Sequence, residues 1–129
     1  MATALTNGRS VMLVDGCRIP FQRSGTQYVD LMAYDMGRMV LKGLLTRTGL
    51  DPGDVDRVVM GCVIQDVETS NVAREAALGA SIPKHVPAFT VTMACISSNQ
   101  AITSPVEYSA MDGDSGSKSL GLRPFTSCR

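Results

Sequence analysis

Four cysteines and one histidine set the chemistry open to this chain: Cys17, Cys62, Cys95, Cys128 and His85. A single histidine excludes any two-histidine device built from these residues alone. The cysteines form no C-x-x-C pair, which argues against a zinc ribbon or a dithiol redox motif. The first ten residues contain no apolar signal core, so reduced thiols are the default reading. Cys95 has the most informative setting, Val91-Thr-Met-Ala-Cys-Ile-Ser-Ser-Asn99. It stands where an alternating run gives way to a helical one. A helix start offers unpaired N–H groups and partial positive charge, both of which favour the thiolate. Such a cysteine can attack a carbonyl and hold the acyl group as a thioester. The competing reading is a small buried apolar residue, and pattern alone favours it, because lone cysteines are usually core.

The elements around Cys95 follow from periodicity. Ala88 to Met93 alternates, with Phe89, Val91 and Met93 on one face and Thr90 and Thr92 on the other, which predicts a strand. Gln100 to Thr103 reads as helix. Pro105 is awkward inside that helix and fits better as the first residue of a new turn, with Ser104 and Glu107 as a capping box. Upstream, Val11-Met-Leu-Val-Asp15 is an apolar, β-branched run ended by Gly16, and predicts a buried strand. Met32, Met36, Met39, Val40 and Leu44 recur at helical spacing, with Leu31, Leu41 and Leu45 widening the stripe. Asp30 as cap, and Gly49 with Pro52 as stop, give a helix over 31–48. Val55 to Cys62 predicts a second strand, and Gly61 marks a close backbone approach or a strand end. Asn71 to Ala80 predicts a helix capped by Ser70 or Asn71, with Val72, Ala73, Ala76, Ala77 and Ala80 facing inward.

The resulting order is β-α-β-α-β-α, an α/β fold with a mostly parallel sheet and right-handed crossovers. Residues 1–10 and the Gly/Ser-rich tail, 112–129, are expected to be disordered, leaving one partial domain over 11–111. The length of 129 residues allows no second domain. Apolar residues are 44 % of the chain, enough for a core, and 12 basic residues balance 12 acidic ones. That zero net charge argues against a broad electrostatic grip on nucleic acid. No apolar run approaches the roughly 18 residues of a membrane span.

Several segments resemble the N-terminal part of the thiolases, the acetyl-CoA C-acyltransferases. They are Val11-Met-Leu-Val-Asp-Gly-Cys-Arg-Ile-Pro-Phe21, Asp56-Arg-Val-Val-Met-Gly-Cys-Val-Ile-Gln65, Thr69-Ser-Asn-Val-Ala-Arg-Glu-Ala-Ala-Leu-Gly79 and Val91-Thr-Met-Ala-Cys-Ile-Ser-Ser-Asn-Gln-Ala101. The last two are most similar to the 3-ketoacyl-CoA thiolases that form the β-subunit of the mitochondrial trifunctional protein. Most thiolases carry Cys-Gly-Ser-Gly at the nucleophile, and Cys95-Ile-Ser-Ser-Asn is the trifunctional variant.

The resemblance implies a thiolase-like half fold and reverses the odds on Cys95, which matches the family's nucleophile. It implies thiolytic cleavage of a 3-ketoacyl-CoA in fatty-acid β-oxidation, with coenzyme A as co-substrate and no bound cofactor or metal. It further implies a homodimer of the full-length member, a hydratase/dehydrogenase α-subunit as partner, and a mitochondrial setting, although no presequence is visible. The family's downstream histidine and second-cysteine motifs do not occur here, and His85 matches none of them. The chain alone is therefore expected to be inactive. An alternative is a non-catalytic short form that binds a full-length thiolase or the partner subunit. The family's fourth strand is expected to be missing, with the tail in its place and Val11–Asp15 left as an exposed apolar edge.

The remaining features read as structural. Arg18-Ile-Pro-Phe21 is a turn held by Pro20 with Phe21 packed inside. Arg74 and Glu75 are expected to form structural ion pairs, and the methionines, Cys17 and Cys62 to fill the core. Gly113–Ser119 lacks the order of a phosphate loop.

Overall fold

A computed structural model describes residues 2–5, 9–111 and 119–122, with side chains over 12–107. Its elements are strands β1 (Ala2–Leu5) and β2 (Arg9–Met12), helix α1 (Ala33–Thr48), a 3₁₀ turn (Pro52–Asp54), β3 (Arg57–Gly61), α2 (Val72–Gly79), β4 (Ala88–Val91), α3 (Ser97–Met111) and β5 (Ser119–Leu122). The central sheet has the order β4-β3-β5, and both pairings are parallel. The architecture is the expected partial α/β fold.

The inner stripe of α1 is Gly37, Val40, Leu41, Leu44 and Leu45. It packs with Val58 and Met60 of β3 and with Val72, Ala73, Ala76 and Ala77 of α2 in one apolar cluster. All five residues expected on the inward face of α2 are buried. Small side chains there let the helices approach closely. A Cβ on Gly37 would lie 2.6 Å from the Met60 methyl carbon and 3.1 Å from the Ala76 Cβ. Gly49 ends α1 in the left-handed region at φ +67°, as the helix-stop signal requires.

Four expectations change. The helix starts at Ala33, not Leu31, because Val29 and Leu31 donate to the Thr26 and Tyr28 carbonyls in turns that close first. Asp35, not Asp30, supplies the cap, accepting from the Met32 N–H at 3.2 Å. Secondly, α3 runs unbroken through Pro105, and Ser104 Oγ accepts from Gln100 Nε2 at 3.0 Å along the helix rather than capping a new turn.

The third change concerns the chain ends. Residues 2–5 and 9–12 pair as an antiparallel hairpin where disorder is expected. Residues 119–122 of the expected tail form β5 beside β3. The rest of the tail, 112–118 and 123–129, lies outside the described residues. The fourth change follows from the third. Val11–Asp15 does not enter the central sheet: Val11 and Met12 end β2, and Met12, Leu13 and Val14 are exposed. The edge of β3 away from β4 is held by β5 instead.

Candidate active site

β4 delivers the chain to the C-terminal edge of the sheet, and a tight turn then reverses it into α3. Ile96 N–H donates to the Met93 carbonyl at 3.1 Å, and Ser97 N–H to the Ala94 carbonyl at 3.2 Å. Ala94 takes the left-handed conformation, φ +46°, which a non-glycine residue holds only when its surroundings enforce it. The enforcing group is Ser97. Its fully buried hydroxyl accepts from the Met93 N–H at 2.8 Å and donates to the Ala94 carbonyl at 2.7 Å. Cys95 stands at the crest of this turn, two residues before α3, with an exposed free thiol. The buried-core reading of Cys95 is therefore excluded.

The turn is also braced from β3. Gly61 ends that strand against the first residues of α3. A Cβ on Gly61 would lie 2.5 Å from the Ser97 carbonyl carbon and 2.8 Å from the Ser98 nitrogen. The close approach read from Gly61 in the sequence is thus real, and its partner is the backbone that follows Cys95. Cys62 N–H donates to the Val91 carbonyl at 3.0 Å, and Thr92 Oγ1 donates to the Cys62 carbonyl at 2.8 Å. The ends of β3 and β4 are tied together directly below the turn.

A second polar cluster fixes the start of α2 against β4. Asn71 Oδ1 caps the helix by accepting from Arg74 N–H at 3.2 Å. It also accepts from Thr90 Oγ1 at 2.9 Å, while Asn71 Nδ2 donates to the Ala88 carbonyl at 2.9 Å. Thr90 Oγ1 in turn accepts from Ala73 N–H at 3.1 Å. The threonines alternating along β4 and just beyond it are thus staples to neighbouring elements. Periodicity alone places them on one face and assigns them no partners. It assigns Ser97 no role either, although a serine at a helix start is a signal for backbone bonding.

The other candidates do not join Cys95. His85 is exposed in the connector before β4, at the opposite end of the strand from Cys95. The Arg74 guanidinium donates to the Val86 and Lys84 carbonyls at 2.9 and 2.8 Å, which pins the connector; its role is structural, as expected, with carbonyls in place of a carboxylate. Phe21 is exposed under the Arg18 guanidinium, which lies 4.2 Å from the ring centroid, so it is not packed inside. Cys62 is buried and donates to the Ile64 carbonyl at 3.1 Å. Cys17 is half-buried against α1 and donates to the Val40 carbonyl at 3.2 Å. Burial pushes the Cys17 thiol pKa up, Arg47 partly offsets this, and Asp15 adds to it. Cys128 lies outside the described residues. Among the described residues, no three acidic, histidine or cysteine side chains are grouped to hold a metal ion.

Comparison with known proteins decides the family. A family model described as the thiolase N-terminal domain matches residues 11–113. The chain belongs to the thiolase family. The mitochondrial trifunctional enzyme subunit beta of Bos taurus is 57 % identical over 103 residues, covering 80 % of this chain and 22 % of the relative. A probable 3-ketoacyl-CoA thiolase of Caenorhabditis elegans is 49 % identical, covering 79 % of this chain and 23 % of the relative. This thiolase-family chain thus spans less than a quarter of the length of those relatives. Among solved structures, the Bacillus anthracis acetyl-CoA acetyltransferase superposes with a TM-score of 0.60 at 34 % identity, covering 63 % of this chain and 21 % of that one. The Ascaris suum Acat5 thiolase, solved with coenzyme A, gives a TM-score of 0.65 at 25 % identity, covering 68 % and 23 %. The thiolase resemblance and the thiolase-like fold both hold.

Proposed function

We propose that this chain carries the acyl-accepting nucleophile, Cys95, of a 3-ketoacyl-CoA thiolase of fatty-acid β-oxidation. The observation that supports this most strongly is the exposed thiol on a turn that three elements hold rigid. A nucleophile needs access and fixed direction, and a buried structural cysteine needs neither.

The chemistry follows in two halves. The Cys95 thiolate attacks the keto carbon of a 3-ketoacyl-CoA. The bond between the α and β carbons breaks, and its electron pair leaves on acetyl-CoA as an enolate, which takes up a proton. The shortened acyl group stays on Cys95 as a thioester. Coenzyme A, as thiolate, then attacks that thioester, and Cys95 is released with the new acyl-CoA. The enolate requires hydrogen-bond donors and a proton source. His85 stands at the wrong end of β4 to supply either, so those groups belong to the parts of the longer relatives that this chain does not span. The chain by itself is accordingly a poor catalyst of turnover. Coenzyme A is a co-substrate here. A mitochondrial setting, a homodimeric thiolase core and a hydratase/dehydrogenase α-subunit partner are proposed from the relatives' identity.

The test is a chimera. Residues 11–111 replace the matching segment of a full-length trifunctional enzyme subunit beta, and thiolysis of 3-ketoacyl-CoA is assayed. Retained activity that disappears in Cys95→Ala supports the proposal. A folded chimera with no thiolysis opposes it and favours a non-catalytic binding role.

A further inference from the structure

The outer edge of β3 is filled by a segment from the far end of the chain, while the apolar run 11–15, paired only through its first two residues, stays outside the central sheet. We infer that residues 11–15 and Ser119–Leu122 compete for that one edge, so that the chain can exchange its outer strand.

Three observations carry this. First, the site is single. β3 pairs with β4 on one side and β5 on the other, both parallel, with Val58 opposite Leu120 and Met60 opposite Leu122. An apolar run followed by α1 and then by β3 forms a strand–helix–strand unit. Such a unit places its first strand parallel to the second through a right-handed crossover, commonly as its neighbour. With β4 on one edge, the place left for residues 11–15 beside β3 is the one β5 holds.

Secondly, the incumbent is the weaker strand by composition. Ser119-Leu-Gly-Leu122 has no β-branched residue and carries an interior glycine, which costs backbone entropy. Val11-Met-Leu-Val14 has a valine at each end and no glycine. Thirdly, the displaced run is exposed in a manner its sequence does not suit. Met12, Leu13 and Val14 are 72 %, 79 % and 85 % exposed. Burying them in the sheet would recover the apolar surface now open to water.

The present position of the run is held by bonds that exchange would break. Asp15 pairs with Arg47 near the C-terminal end of α1 at 2.8 Å, and Cys17 bonds to the Val40 carbonyl. A strand that precedes α1 in a crossover must end near the opposite, N-terminal end of that helix. Residues 11–12 must also leave the hairpin with β1. The barrier between the two arrangements is therefore substantial. The equilibrium cost is small by comparison, because the Asp15–Arg47 pair is partly solvated and a solvated ion pair adds little stability.

The experiment is hydrogen exchange read by mass spectrometry on the full chain, at a concentration where it is monomeric. In the unaltered chain, amides of 119–122 are expected to be protected relative to those of 12–15. The variant Leu120→Pro/Gly121→Pro removes ladder donors from β5. It is expected to slow exchange at 12–15 by about tenfold or more. Unchanged exchange at 12–15, with α1 and β4 still protected, would overturn the inference. Should the proline variant lose protection throughout, Leu120→Gly/Leu122→Gly weakens β5 more gently. Transfer of protection to 12–15 is expected there too, and its absence overturns the inference. Protection at 12–15 that appears only as chain concentration rises means pairing between copies, and also overturns it.

Discussion

Cys95 owes its accessibility to a serine two residues later. Ser97 is buried to hold Ala94 in a left-handed turn, and that turn lifts the cysteine out of the sheet. The other described thiols are shut away, one half-buried and one buried. In a Cys128→Ser background at pH 8, iodoacetamide should therefore modify Cys95 first, with Cys17 and Cys62 at least about tenfold slower by peptide mapping. Equal rates at Cys17 would contradict the geometry. Cys17 also makes a pH prediction. Burial raises its pKa in the folded chain, with Arg47 opposing and Asp15 assisting. Below about pH 8.5 both folded and unfolded forms keep the proton, and the site costs nothing. Above it the unfolded chain releases the proton while the folded chain retains it, so stability falls as pH rises. Urea melts between about pH 7 and 10 should show a shallower loss for Cys17→Ala than for the unaltered chain.

At the scale of elements, the Cys95 turn is only as fixed as the junctions beneath it. Gly61→Ala places a methyl against the Ser97 and Ser98 backbone, which cannot swing aside as a side-chain end could. The expected cost is about 1–3 kcal/mol, seen in denaturant melts, together with shifted backbone resonances at 94–98. Unchanged resonances there would show that Gly61 does not brace the turn. Asn71→Ala removes a helix cap and two ties to β4, and should cost about 1–2 kcal/mol. These elements are largely legible in the sequence. The period of α1, its Gly49 stop, the small inward face of α2 and the meaning of Gly61 are all local signals. The roles of Thr90, Thr92 and Ser97 are not legible, because a hydroxyl's partner depends on which element packs beside it. The fate of Val11–Asp15 escapes sequence reading for a like reason. Its pattern is that of a buried strand, but a sheet edge takes whichever segment reaches it, and here that segment is Ser119–Leu122.

At the scale of the whole molecule, two apolar features stand open. Among the described residues, β4 stands at the outer side of the central sheet, with β3 on its other side. The run Met12–Val14 adds an exposed apolar stretch. An open strand edge together with apolar side chains invites association between copies. Sedimentation should show self-association that grows with concentration in the micromolar range, and Leu13→Glu should weaken it several-fold. A monomer at all concentrations with a cooperative, concentration-independent melt would count against this view. Family membership fixes the fold. The assignment of the nucleophile rests on the turn itself, and can be tested without any other chain.

The most direct test is acyl transfer to the protein. The chain is incubated with an acyl-CoA, whose acyl group passes to the Cys95 thiolate by thioester exchange with coenzyme A leaving and no enolate formed, and intact mass and peptide mapping locate any thioester. An acyl adduct is expected on the peptide containing Cys95, absent from Cys95→Ala and removed by added coenzyme A. No adduct on a folded chain, or an adduct that persists in Cys95→Ala, would contradict the assignment of Cys95 as the nucleophile.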